Sequence, residues 1–175
     1  MNIESLVVSS IRHSAVQVFS TMLASEIEAG DLVKDGGGLD MTEGVVSFIG
    51  IAGNWTGTGS LTCSASLACR LCSRMLMTEV ASLDEDVLDA IAELTNMIVG
   101  NVKSDLERYV GELGLSLPTV VFGKNFRTKT GGGGDWIVQK LFWEGEEILV
   151  KMCLTPADKC AHQSPHTVNH QPVEI

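Results

Sequence analysis

Glu93 and Asn96 stand three residues apart in the stretch DAIAELTNMIVGNVKSDLE, Asp89–Glu107. On a helix, residues at i and i+3 are neighbours. The spacing therefore sets a negatively charged acceptor against a carboxamide that can both donate and accept. Gly100 and Asn101 follow one turn later. Gly costs roughly 1 kcal/mol against Ala in a helix interior, and Asn is also a weak helix former. At about 100° per residue, Val87, Ile91, Leu94, Ile98, Val102 and Leu106 gather into one core stripe. Asp89, Glu93, Asn96, Gly100, Lys103 and Glu107 fall on the opposite side, within about 40° of a common line. The costly residues thus share the outward face, and Gly100 leaves a gap where another backbone could come close. Such a face suits the docking of a polar partner. Carboxylates and amides on an outward helix face are also commonly just solvated. Glu-x-x-Asn lacks the His of di-metal helix motifs, so no metal is expected there.

The helix that must carry this face begins near SLDEDV. Ser82 and Glu85 have capping-box spacing, and Asp84, Glu85 and Asp86 load the first turn with the charge a helix dipole favours. Gly114 is the expected stop. Upstream, Leu6, Val7, Ile11, Ala15, Val18, Phe19, Met22 and Leu23 predict an amphipathic helix from Ile3 to about Ala29, closed by the turn-forming KDGGGLD. Glu43–Gly53 and Trp55–Ser64 read as a hairpin, and Ala65–Met77 as a short helix. LPTVVFGKNF reads as a strand, and DWIVQKLFWEG with EILVKMCLTP as a second hairpin around Glu144, Gly145 and Glu146. Consecutive strands with segregated helices predict an α+β fold, an antiparallel sheet with long helices packed on one face. Residues 1–156 are expected to form one domain and residues 157–175 a flexible C-terminal tail. SSIRHSAVQVF from Ser9 can be laid on DAIAELTNMIV from Asp89, which puts His13 and Val16 in the places of Glu93 and Asn96.

Composition narrows the classes of function. The chain has 175 residues, 45% of them hydrophobic, and a net charge of −10. That length favours one domain, and that hydropathy excludes disorder of the whole chain. An acidic surface repels phosphate backbones and anionic lipid, so neither nucleic acid nor membrane is an expected partner. The N-terminal MNIESLVVSSIRHS lacks the basic start of a signal peptide, and the expected location is cytoplasmic. Five cysteines are then expected as reduced thiols, and Cys69-Arg70-Leu71-Cys72 has no second pair to make a zinc site. His162, His166 and His170 are spaced by four, but Pro165 and Pro172 oppose the helix that would align them. Thr130–Trp136, TGGGGDW, is not followed by the Lys-Ser/Thr of a phosphate cradle and reads as a loop, with Lys124, Arg127 and Lys129 before it solvated.

Asp89-x-x-x-Glu93-x-x-Asn96 followed by MIVGN resembles the signature of the CheC/CheX/FliY phosphatases of bacterial chemotaxis. GNWTGTGSL is similar to the Gly-rich second strand of that family, and the resemblance runs from about Ile3 to Pro156. A single intact signature helix resembles the CheX branch. The resemblance implies a CheC/CheX-like sheet backed by helices, pairing as a homodimer, and hydrolysis of the aspartyl phosphate of a CheY-like response regulator. It implies that Glu93 docks the regulator through an active-site lysine and that Asn96 positions the attacking water. Asp89, Gly100 and Lys103 would join in partner binding. No cofactor of the chain's own is implied, since the regulator brings a divalent metal (Mg). A non-catalytic CheX-like module that binds or dimerises in a signalling complex is the alternative.

Overall fold

A computed structural model describes residues 2–35, 38–129 and 135–157. The elements in chain order are α1 (Ile3–Leu23), β1 (Glu28–Asp35), β2 (Gly38–Gly53), β3 (Trp55–Cys63), α2 (Ala65–Leu76), α3 (Glu85–Val110), β4 (Leu113–Leu115), β5 (Thr119–Lys129), β6 (Trp136–Trp143) and β7 (Glu146–Pro156). The strands form one seven-stranded sheet in the order β1-β6-β7-β3-β2-β4, with β5 also on β2. All its pairings are antiparallel. The helices pack on one face, so the expected α+β architecture is the one found. The expected hairpin turn is also there, with Glu144 and Gly145 both at positive φ, as a two-residue turn between twisted strands favours.

The strands β2 and β5 extend beyond the expected segments, to Gly38 and Lys129, and three helix boundaries differ from expectation, each for a local reason. The helix α1 stops at Leu23 rather than near Ala29, because Ala24 turns left-handed (φ 47°) and the Ser25 amide returns to the Phe19 carbonyl at 3.3 Å. That closure is of the kind that ends helices by satisfying their last carbonyls. The freed residues become β1, which pairs with β6 from Glu28↔Phe142 to Asp35↔Trp136, so a stretch read as helix end and loop is an edge strand. The helix α3 begins two residues later than Ser82 suggests. Its cap is Asp84, whose carboxylate accepts from the Val87 amide at 3.1 Å. It ends at Gly111, not Gly114. Gly111 sits at φ 83°, and Leu113–Leu115 is spent as strand β4 along β2.

A single apolar cluster joins the helices to the sheet. Val7, Ile11, Val18 and Phe19 of α1, Leu67 and Leu71 of α2, and Ile91, Leu94, Ile98 and Leu106 of α3 meet Val45, Ile49, Leu61, Leu141, Ile148 and Val150. A Cβ on Gly59 would lie 2.9 Å from Cγ2 of Val99, so this strand glycine lets α3 lie close on β3. The helices α1 and α3 run antiparallel, and the buried Ser14 hydroxyl donates to the Ile98 carbonyl at 3.0 Å. On α2, the guanidinium of Arg70 lies 5.3 Å from the Trp143 ring and pairs with Glu144 and Glu146, which fastens α2 to the β6–β7 turn. Among the described residues, no helix is long and apolar enough to cross a membrane.

Candidate functional site

The helix α3 is 26 residues long and buries Val87, Ala90, Ile91, Leu94, Thr95, Ile98, Val99, Val102 and Leu106. Its opposite face carries Asp89, Glu93 and Asn96, all exposed, then Gly100 and Lys103, both half-buried. The structure therefore brings every candidate residue of the sequence onto one line, in the order the helical repeat predicts. Among the described residues, the side chains of Asp89, Glu93 and Asn96 make no hydrogen bond or ion pair within the chain. Their polar groups are free to meet another molecule.

Gly100 has no packing reason to be glycine. A Cβ there would meet only the end of the Leu115 side chain among the described residues, at 3.9 Å, an ordinary van der Waals distance. Its φ is not in the left-handed region that would require glycine. The Ser104 hydroxyl uses the Gly100 carbonyl at 3.0 Å, a bond any residue at position 100 would keep.

Lys103 is differently placed. Its ammonium lies 2.8 Å from the Glu107 carboxylate, and that carboxylate also accepts from the Leu113 amide at 2.9 Å. The Lys103 hydrogen bond, followed by that of Leu113, holds the Glu107 carboxyl below its ordinary range. Lys103 thus already serves the fold, by steadying the group that ties β4 to α3. Sequence reading missed this role because Leu113–Leu115 was assigned to the helix stop and the loop after it. The alternation Leu113, Leu115, Leu117 was the available signal for a short strand.

The remaining sequence features do not form a second centre. In the aligned helix α1, His13 and Val16 are both exposed in the places of Glu93 and Asn96, so that face has neither the carboxylate nor the amide. Cys69 is half-buried, and Cys63 and Cys72 are buried, all as free thiols. Burial, reinforced by Glu146, pushes the Cys63 thiol up to about 12. Among the described residues there is no cluster of three or more His, Cys, Asp or Glu able to hold a metal. The histidine-bearing tail beyond Ala157 and the glycine run 130–134 lie outside the described residues.

Comparison with known proteins matches these elements. The family described as "Chemotaxis phosphatase CheX" matches residues 45–141, a span that contains the whole outward face of α3. A curated relative, the CheY-P phosphatase CheX of Thermotoga maritima, is 33% identical over 95 residues, which is 54% of this chain and 61% of that protein. The chain thus spans about three fifths of that relative's length. A CheC-like superfamily protein from Shewanella sp. PV-4 superposes with a TM-score of 0.77 at 27% identity, covering 89% of this chain and 99% of the other. A CheX–CheY–BeF3–Mg2+ complex from Borrelia burgdorferi contains a chain that matches with a TM-score of 0.72 over 83% of this chain and 96% of the other. At 21% identity the likeness to that last protein is one of fold.

Proposed function

The chain belongs to the CheX family, and on that premise we propose that it hydrolyses the aspartyl phosphate of a CheY-like response regulator. The observation that carries the reading is the pair Glu93 and Asn96. They are adjacent, exposed and unused by the fold, on a helix face where Gly100 also has no structural purpose. The Thermotoga relative, a CheY-P phosphatase, supplies the substrate class. The Borrelia complex, of CheX with CheY, BeF3 and Mg2+, supports a receiver as partner and a divalent metal on that receiver.

The chemistry asks little of this chain beyond placement. Phosphoryl transfer depends mainly on positioning and on stabilising charge. Glu93 anchors the receiver by a charge-assisted hydrogen bond to a lysine ammonium. Asn96 then lies beside the acyl phosphate, where its carboxamide accepts from one water and holds the oxygen in line with phosphorus. The new bond forms between water oxygen and phosphorus while the phosphorus–oxygen bond to the aspartyl carboxylate breaks. The carboxylate leaves with the electron pair, and the water proton ends on inorganic phosphate. Gly100 and Asp89 border the docked surface. Lys103 contributes indirectly, through Glu107 and β4. We assign the chain a homodimeric state, residues 1–156 as its single domain, and a cytoplasmic setting.

Phosphate release from a phosphorylated receiver of the same organism, followed with each variant, tests the assignment. Asn96→Ala should leave receiver binding near the parental value and slow the saturated rate about a hundredfold, the loss of ~2–3 kcal/mol expected when one aligned contact to the reacting group is removed. Glu93→Ala should instead raise the concentration needed for half-saturation. Hydrolysis by Asn96→Ala at the parental rate would leave the non-catalytic binding module as the reading.

A further inference from the structure

We propose that Leu117 is an apolar anchor for the receiver that docks on the Glu93–Asn96 face; the inference rests on the functional reading above. The strand β4 runs back along α3. The Leu113 amide meets the Glu107 carboxylate at 2.9 Å, and Cδ1 of Leu115 lies 3.9 Å from where a Cβ of Gly100 would be. Leu113 thus lies by the Glu107 side chain, and the Leu115 side chain borders Gly100. Leu117 follows two residues on, in the irregular stretch that joins the pairing Leu115↔Ile51 to Thr119↔Phe48.

The segment holding Leu117 is fixed at both ends. The Ser116 amide donates to the Gly50 carbonyl at 2.9 Å, and the Gly50 amide donates to the Ser116 hydroxyl at 2.8 Å. That hydroxyl also donates to the Leu117 carbonyl at 2.9 Å, and Pro118 restricts the backbone that follows. Despite this, the Leu117 side chain is 88% exposed. A large apolar group on an already ordered backbone loses little conformational freedom when a partner covers it. Two residues past the side chain that borders Gly100, it would also exclude water from the rim of the contact.

Charge argues that the occupant is a different protein rather than a second copy. A twofold dimer sets the same patch of both copies together, so a contact on this face would bring two acidic surfaces, each with Asp89 and Glu93, into one interface. A receiver that presents a cation to Glu93 meets the acidic face with the opposite sign.

The test titrates the full chain and its Leu117→Ala and Leu117→Asp variants with a CheY-like receiver of the same organism, activated by beryllofluoride and Mg2+. Burial of a leucine predicts a Kd raised about tenfold for Leu117→Ala and further for Leu117→Asp. The saturated hydrolysis rate should stay within about twofold of the parent, because no reacting group is touched. Unfolding midpoints should not move, given the exposure of the side chain. A Kd within about twofold of the parent for both variants overturns the anchor. Loss of the dimer in light scattering with an unchanged Kd also overturns it, by assigning Leu117 to a subunit contact. Glu93→Ala, run in parallel, separates the two levels of the reading. If it weakens binding and the Leu117 variants do not, the anchor alone fails. If the parent binds no activated receiver, the functional reading fails and takes the anchor with it.

Discussion

Gly100→Ala separates what the fold needs from what a partner needs. In a helix interior this exchange removes backbone freedom from the unfolded chain and is stabilising by about 0.5–1 kcal/mol where the new methyl fits. Here it fits: the added Cβ meets only Cδ1 of Leu115, at 3.9 Å, and the Ser104 bond to the Gly100 carbonyl is untouched. The variant should therefore melt about 2–4 °C higher than the parent, the shift that ~1 kcal/mol produces in a domain of this size. In the phosphatase assay the direction reverses. If the gap at Gly100 admits the backbone of the docked receiver, a methyl there forces a displacement costing ~1–3 kcal/mol, so the apparent affinity should fall about tenfold or more. Calorimetry on the free protein and phosphate release under saturating and subsaturating receiver read the two effects independently. A lower melting temperature would refute the packing described around Leu115. A stabilised variant with parental activity at every receiver concentration would refute the clearance role and leave Gly100 without one.

Three further outcomes follow from the same contacts. Glu107 has a carboxyl held below its ordinary value of 4.5 by Lys103 and then by the Leu113 amide; a depressed folded pKa stabilises above the unfolded value and loses that effect as pH falls through the folded one. Urea midpoints of the parent should thus exceed those of Glu107→Gln at neutral pH and converge with them well below 4.5, and a gap that persists in acid would count against the ion pair as its cause. Cys63, buried and with its thiol pushed up to about 12, should resist iodoacetamide at pH 8 in the folded chain and react in guanidinium, as peptide mass spectrometry would read; rapid native labelling would contradict that burial. Light scattering at micromolar concentration should give a dimer, since the sheet ends at β1 and β5 and the latter leaves Val121 and Phe122 40% and 42% exposed; a monomer would remove the homodimer from the reading.

The helix α3 was legible because its two periodicities are pure. Apolar residues at 87, 91, 94, 98, 102 and 106 fix the buried stripe, and everything off that stripe at three- and four-residue spacing must face away. The strands flanked by glycine or charged turns were legible for a similar reason, since the pairings Val45↔Cys63 to Ile51↔Gly57 and Ile137↔Met152 to Trp143↔Glu146 follow from alternation and a tight turn. What failed was decided by contacts across the chain. EAGDLVKD carries too few apolar residues to announce a strand, and it is one because β6 offers a pairing edge. Leu113–Leu115 shows only a brief alternation, and it is fixed as a strand by Ile51–Gly53 on one side and by Glu107 on the other. Ser82 fits the capping pattern as well as Asp84 does, and only the Asp84 bond to Val87 decides between them.

The same contacts sort the polar residues of the surface into two groups, and the sorting bears on function. Arg70 is engaged by Trp143, Glu144 and Glu146; Gln139 by Arg12, Gly30 and Lys140; Lys103 by Glu107. Each has a place in the fold, and removing it would leave a partner unsatisfied. Glu93 and Asn96 are different in kind: a helix of 26 residues would keep its core stripe, its cap at Asp84 and its close at Gly111 with alanine at both positions. Alanine is in fact the better helix former at each. A carboxylate, an amide and a glycine that the helix would be more stable without lie on a single line of its surface. Stability does not account for that coincidence. The docking proposed above would account for it, because each of the three would supply something a partner can use: a charge to meet, a water to hold, and room to approach.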